Sequence, residues 1–308
     1  MKRQRLFLHM VKQCLTRRVR FDPDQLETLM AISEEGSFEA AARRLHVTPS
    51  AVSQRVRALE AAAGTVLVTR AAPATPTEAG EPLLRLARQL RLIASEAEAA
   101  LATGPVLDVA IAVNADSLAT WFRQVLAAVA DRPGTALRLS VEDEGHSHEL
   151  LRRGEVLAAV TREPRPVQGC SVEPLGVLRY RAAAAPWFLE RHRRGPGIDW
   201  AGAPLLVFNE KDLLQDEVLA AHGVGRPPVV HRVPSNADFL AAVEAGLGWG
   251  MIPHPQLAPA VADGRLVALA GARPVDVPLH WQRWRLTSTA LDQVTDDVRR
   301  AAAALHRR

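Results

Sequence analysis

The first hundred residues carry apolar positions at helical spacing. Over DPDQLETLMAISEE, Leu26, Leu29, Met30 and Ser33 share one face, acids fill the first turn and Gly36 follows, which predicts a helix with defined ends. Ser37 can cap a second helix, FEAAARRLH, whose alanines permit close packing. His46-Val47 then make a tight connection, Thr48 fits as an N-cap, and Pro49 takes N1, where a missing N–H costs nothing. In the third helix Val52, Val56 and Leu59 fall at i, i+4 and i+7, while Ser50, Ser53, Gln54 and Arg57 recur on the opposite side. Helix, short turn, helix is the sequence form of a helix-turn-helix.

A long helix is predicted from Thr77 to Ala102, with Leu83, Leu86, Leu90 and Ile93 on one stripe and Arg85, Arg88 and Arg91 off it. Such a stripe needs a partner surface, either a second copy or the chain's own next domain. Thr103-Gly104-Pro105 breaks the helix, and the texture changes to short apolar runs alternating with helical patterns. DVAIAV, LRLSVEDE, VLAAVT and LGVLRYRAAAA form one set; PLLVFN, DLLQDEVLAA, PVVHRV, NADFLAAVEAG and GWGMIP form another. VPLHWQRWRL then returns to the first set before a last helix. This alternation predicts βαβ units, two α/β subdomains and a cleft at the strand C-termini. Gly246-Leu-Gly-Trp-Gly lacks the Lys-Ser/Thr end of a phosphate loop and precedes a strand, so it reads as a tight turn with room for Trp249.

A length of 308 residues implies more than one core, because single cores rarely exceed roughly 250–300 residues. Hydrophobic content of 48% argues against disorder. No run of about 18 apolar residues offers a membrane span. The opening MKRQRLFLHMVKQCLTRRVR is basic, but His9, Lys12 and Gln13 interrupt its apolar part and arginines stand where a cleavage site would be. It reads as a disordered tail or the product of an upstream start codon, not as an export signal. Cys14 and Cys170 form no metal-ligand spacing and fit a reducing cytoplasm. The net charge of +4 sits wholly in residues 1–103, with 15 Lys/Arg against 11 Asp/Glu, while residues 104–308 carry 23 of each. A polyanion partner is therefore expected at the N-terminal third.

A recognition helix lies in the major groove with its N-terminal residues near base edges, so short polar groups are needed there. Pro49, Ser50, Ser53 and Gln54 stand at that end; Gln can pair bidentately with adenine, and Arg55 and Arg57 can reach phosphate or guanine. An ordinary amphipathic surface helix would carry the same residue types. In the second region, Asn114-Ala115-Asp116-Ser117 follows the first strand and opens the helix LATWFRQVLAAVA, where Asp116 can meet a ligand ammonium or one of Asp116 and Ser117 can simply cap. Glu142-Asp143-Glu144 puts three acids at a strand end, relieved by a nearby cation or by solvent. Across the cleft stand Asn209-Glu210-Lys211-Asp212 and Ser235-Asn236. His146, His148, Glu144 and Glu149 lie in one short loop with no second cluster and read as solvated, so no metal is expected. No G-x-S-x-G, H-E-x-x-H or Cys/His nucleophile pair is present, which leaves an enzyme without chemistry and predicts no catalytic residue.

SFEAAARRLHVTPSAVSQRVRALEAAAG resembles the signature of the LysR-type transcriptional regulators. The resemblance implies a winged helix-turn-helix with LVTRAAPATPTEAG as the wing, Arg70 reaching a phosphate or the minor groove, and the long helix as a dimerisation helix. It also implies a two-lobed, periplasmic-binding-protein-like effector domain, making the whole an α+β multidomain chain. VNADSLATWF, VEDE, LLRRGEV, AGLGWGMIPH and VPLHWQRWRL resemble the lysine- and arginine-responsive ArgP/LysG branch, which governs export of basic amino acids. The implied effector, lysine or arginine, carries one carboxylate and two cationic groups, and no cofactor is expected. The implied effector set is Asn114, Asp116, Ser117, Glu142, Asp143, Thr161, Asp212, Ser235 and Asn236, with Asp143 or Asp212 meeting the side-chain cation. DNA contact falls to Thr48, Pro49, Ser50, Ser53, Gln54, Arg55, Arg57 and Arg70.

The expected domains are a basic extension (1–20), the winged helix-turn-helix (21–78), the linker helix (79–103) and the effector domain (104–308). Its lobe 1 takes about 104–180 and 275–308, and lobe 2 about 181–274. Expected partners are double-stranded promoter DNA and further copies in a homodimer or homotetramer, with RNA polymerase a candidate, no membrane, and a cytoplasmic location. The rival reading is a two-lobed amino-acid receptor serving transport, without DNA function. It would need export and would not need the first hundred residues.

Overall fold

A computed structural model of the chain describes residues 21–101, 106–141 and 144–306. The basic extension and the expected site residues Glu142 and Asp143 lie outside the described residues. The chain divides into two compact units, one ending at Ala94 and one beginning at Ser95.

In the first unit α1 (Pro23–Glu35) starts where the Asp22 carboxylate accepts the Asp24 and Gln25 N–H groups, and stops at Gly36, in the left-handed region at φ 71°. Ser37 caps α2 (Phe38–Arg44) by accepting Ala40 N–H, and Thr48 caps α3 (Pro49–Ala63) by accepting Ala51 N–H. His46 turns the chain between them at φ 55°. Leu26, Leu29 and Ile32 of α1 meet Ala41, Ala42, Val52, Val56 and Leu59 in one core. Leu67 and Val68 join it from the wing, whose arms meet at a Val68–Pro76 bridge.

The next helix, α4, runs Glu81–Ala100 and not from Thr77. Pro82 explains the later start: its ring would strike the Glu78 carbonyl in a longer helix and it has no N–H to bond there. Thr77–Gly80 is a turn instead, with Gly80 N–H on the Thr77 carbonyl at 2.9 Å and hydroxyl at 3.1 Å. A Cβ on Gly80 would stand 2.1 Å from the Leu67 carbonyl oxygen, so only glycine lets wing and helix start meet. Leu83, Leu84 and Ala87 fill the head's core, while Leu90 and Ile93 of the same stripe stay 41% and 46% exposed.

The second unit is built on a seven-stranded sheet. Its strands are β1 (Leu107–Val113), β2 (Thr135–Val141), β3 (Ala158–Thr161), β4 (Cys170–Ala184), β9 (Gly250–Pro253), β10 (Val267–Ala268) and β11 (Val275–Trp284). The short β5 (Arg193–Arg194) pairs β6 (Gly197–Ile198), and β7 (Leu205–Val207) pairs β8 (Val230–Arg232) in parallel. The main sheet has the order β2-β1-β3-β11-β4-β10, with β9 also on β4. β1 is parallel to β2 and β3, whereas β11 is antiparallel to β3 and β4. β4 and β11 tie the lobes together. β4 pairs β11 along its length, then gives Tyr180–Ala183 to β9 in the second lobe. A register shift at Leu279/His280 faces Gly176, where a Cβ would lie 2.9 Å from Leu305 Cβ.

Helices cover these strands: α5 (Ala115–Ala119), α6 (Arg123–Ala130), α7 (Glu144–Arg153), α8 (Pro186–Arg191), α9 (Leu214–Ala221), α10 (Asn236–Glu244), α11 (His254–Ala262) and α12 (Thr289–Ala301). The single helix expected over LATWFRQVLAAVA is thus two. The Thr120 hydroxyl donates to the Asp116 carbonyl at 2.5 Å, and the backbone at Thr120 leaves the helical region. α8 and α11 are not among the expected elements; Pro186 and Pro255 occupy first-turn positions that tolerate proline. Gly246 bonds back to Val243 at the end of α10, and Trp249 is fully buried, so GLGWG is the tight turn expected.

Two contacts hold the last helix. Glu96 near the end of α4 accepts the Ser288 hydroxyl at 2.5 Å and Ala290 N–H at 3.2 Å, completing the cap of α12. Asp297, with a fully buried side chain, accepts from Arg132 at 2.8 Å and is also paired with Arg300. Replacing Asp297 with Ala strands the Arg132 guanidinium and should cost about 3–5 kcal/mol, read as a lower denaturant midpoint. A loss below about 1 kcal/mol would show that the pair behaves as an exposed one.

Candidate functional site

On α3, Thr48, Pro49, Ser50, Gln54 and Arg57 are exposed and Ser53 half-buried, opposite the buried Val52, Val56 and Leu59. The Thr48 and Ser50 hydroxyls are 2.9 Å apart, which presents two donor/acceptor groups together at the helix start. Arg55 is differently placed. It donates to Asp24 at 3.0 Å and to the Thr28 hydroxyl at 3.5 Å, strapping α3 to α1. Arg70 is exposed on the wing, its guanidinium 5.9 Å from the centre of the Phe38 ring.

The second site is a cavity of about 340 Å³ between the lobes, within the range of small-molecule pockets. From the first lobe come Asn114 and Asp116 after β1, Val141 at the end of β2, Arg162 after β3, and Tyr180 where β4 crosses. The second lobe supplies Phe208, Lys211 and Asp212 after β7, Asn236 and Phe239 of α10, Met251 of β9 and Gln256 of α11. The lining is therefore apolar walls with a small polar set.

Asp116 is the centre of that set. Its Oδ2 accepts the Tyr180 hydroxyl at 2.6 Å, and its Oδ1 accepts the Asn236 amide. Burial pushes its carboxyl up from the usual carboxylate value, the two hydrogen bonds oppose the rise, and the nearby Asp212 charge adds to it. Asn114 is buried, and its Oδ1 has no hydrogen-bond partner among the described residues. Asp212 lines the cavity too, but its carboxylate accepts Phe208 N–H at 2.8 Å, the Gln215 amide at 3.0 Å and Leu214 N–H at 3.2 Å. It therefore closes the turn into α9 and contributes its field more than a free oxygen.

Of the expected effector residues, Asn114, Asp116, Asp212 and Asn236 are brought together. Three others lie outside the lining. Ser117 is fully buried, Thr161 is buried with its hydroxyl accepting Glu163 N–H, and Ser235 caps α10 by accepting Asp238 N–H. Thr161 and Ser235 thereby fix backbone beside lining residues, whereas the buried Ser117 hydroxyl has no hydrogen-bond partner among the described residues. Tyr180, Arg162, Lys211 and Gln256 are lining residues missing from the expected set. Tyr180 is the chain's one tyrosine, set between two arginines in a strand, a signal that was available. Gln256 follows Pro255, and nothing in that dipeptide points to a cavity. Among the described residues no group of His, Cys, Asp and Glu is placed to hold a metal ion, and no helix is long and apolar enough to cross a membrane.

A helix-turn-helix head with an exposed polar recognition face, followed by a two-lobed unit around a cavity, defines a two-domain DNA-binding regulator. Residues 23–81 match the bacterial regulatory helix-turn-helix protein model of the lysR family, and residues 102–306 match the LysR substrate binding domain; the chain belongs to the LysR family of transcriptional regulators. It is 47% identical over 287 residues to the lysine export transcriptional regulatory protein LysG of Corynebacterium glutamicum, covering 91% of this chain and 98% of that one. It is 38% identical over 292 residues to the regulator ArgP of Pseudomonas fluorescens, covering 92% and 97%. The full-length structure of Corynebacterium glutamicum LysG with bound effector Arg superposes with a TM-score of 0.80 at 46% identity, covering 93% of this chain and all of that one. The crystal structure of ArgP from Mycobacterium tuberculosis gives 0.85 at 46% identity, covering 94% and 99%. Membership removes the alternative of a solute receptor without DNA function.

Ionising Asp116 opposes folding, since its native pKa is raised. The penalty is absent below the unfolded value, grows as pH rises from that value to the native one, and is complete above the native one. The stability of Asp116→Ala relative to the unchanged protein should therefore improve as pH goes from about 4 to about 7. A difference that stays flat in pH-resolved melts would put Asp116 in the ordinary carboxylate range.

Proposed function

We propose that this regulator is a cytoplasmic, non-enzymatic sensor of a basic amino acid, lysine or arginine, that controls an amino-acid exporter gene. The observation that carries the reading is Asp116: a buried carboxylate at the cavity's polar centre, held by the Tyr180 hydroxyl and the Asn236 amide, whose pKa burial and the nearby Asp212 push up. A ligand ammonium or guanidinium relieves that charge. Asn114 Oδ1 is a second acceptor for a cationic group, and Arg162 and Lys211 of the lining suit the ligand's carboxylate. Glu142 and Asp143 belong to the same proposed set through the family resemblance. The relatives named for lysine export and the LysG structure with bound arginine support the same chemistry.

At the head, Thr48, Pro49, Ser50, Ser53 and Gln54 read bases, while Arg57 and Arg70 hold phosphates or the minor groove. Arg55 acts from within, by fixing the pose of α3. The exposed Leu90 and Ile93 of α4 are the seam through which two copies pair, as a dimer or within a tetramer, so that two heads meet two half-sites. Binding in the cavity shifts the equilibrium between lobe arrangements and so changes the pose of the heads, with RNA polymerase a candidate partner.

Calorimetric titration should give heat with lysine or arginine and none with leucine, and Asp116→Ala should lower that affinity at least about tenfold. Protein that binds promoter DNA yet is silent to both basic amino acids would remove the ligand and keep the regulator. On the DNA side, Gln54→Ala should relax discrimination at one base pair by about 1–3 kcal/mol, whereas Arg57→Ala should reduce the salt slope of binding by about one. Unchanged specificity in Gln54→Ala would take Gln54 off the reading face.

A further inference from the structure

The hydrogen bonds around Asp116 continue into the second lobe. Tyr180 and Asn236 both donate to Asp116, and Gln256 of α11 donates its amide to Asn236 Oδ1 at 2.7 Å. A carboxamide has an acceptor on one side and a donor on the other, so its orientation decides what it offers a neighbour. With Asn236 as it stands, its N–H meets the carboxylate. Turned over, it would put oxygen against oxygen, and Asp116 would lose one of its two donors. The Gln256 amide, donating to the far side of Asn236, reinforces the orientation that the acceptor-only carboxylate favours.

We infer that Gln256 is a positioning residue of the effector cavity, acting through Asn236 to keep the Asp116 carboxylate fixed for the ligand's cation. The inference rests on the proposed reading that a basic amino acid occupies this cavity. Gln256 also lines the cavity, so a direct touch on the ligand is the competing explanation. The two differ in one respect: a residue that works through Asn236 has nothing to do once Asn236 is gone.

The test is a double-mutant cycle read by calorimetric titration of the full chain with lysine and with arginine. Gln256→Leu should weaken binding about 5–10-fold, the worth of one buried hydrogen bond. In an Asn236→Ala background the same change should alter affinity by less than about twofold. Gln256→Glu keeps the shape but can only accept when ionised, so it should turn Asn236 over and weaken binding at least as much as Gln256→Leu. That isosteric variant keeps the test sound if Gln256→Leu fails to fold. An equal loss in both backgrounds, no loss in either, or tighter binding in Gln256→Glu would overturn the positioning role. Silence of the unchanged protein toward both amino acids would overturn the ligand reading, and the role of Gln256 with it.

Discussion

The antiparallel pairing of β4 with β11 is the constraint from which the cleft follows. β4 is 15 residues long and serves both lobes: Cys170–Tyr180 lie beside β11, and the last residues turn to β9 and β10. β11 brings the chain back into the first lobe and pairs β3 there. Two strands that cross between lobes leave a gap beside the crossing, and Tyr180 stands at it, in register with Val275 on one side and Pro253 on the other.

What fills that gap is determined by electrostatics more than by shape. Apolar walls from Phe208, Phe239, Met251 and Val141 lower the local dielectric, which strengthens any charge interaction inside and penalises an uncompensated charge. Asp116 is the buried carboxyl on which that penalty falls. Asp212, a few residues after β7, has its carboxylate occupied by backbone and amide donors, so two acids of similar appearance in the sequence do different work.

The head was the more legible half because its signals are local. Thr48, Pro49 and the Val52, Val56, Leu59 spacing each depend on neighbours within two turns, and each stands where periodicity put it. The cavity was legible only in part. Asn114, Asp116 and Asn236 sit at strand or helix ends, which a sequence displays, whereas Tyr180 and Gln256 acquire their roles from residues 64 and 20 positions away. Arg55 has a partner that no local pattern displays: Asp24, 31 residues earlier, accepts from its guanidinium. The late start of α4 was written in Pro82, whose conflict with the preceding turn outweighs the apolar stripe that continues through it.

The capping of α12 by Glu96 bears on where the effector unit begins. Ser288 and Ala290 obtain an acceptor from a residue six positions before the LysR substrate binding match at residue 102, and the compact unit itself begins at Ser95. A fragment cut at the sequence-defined edge would leave the first turn of the last helix uncapped on that side. A fragment begun at Ser95 keeps Glu96, and with it the acceptor that Ser288 and Ala290 share at the start of the last helix.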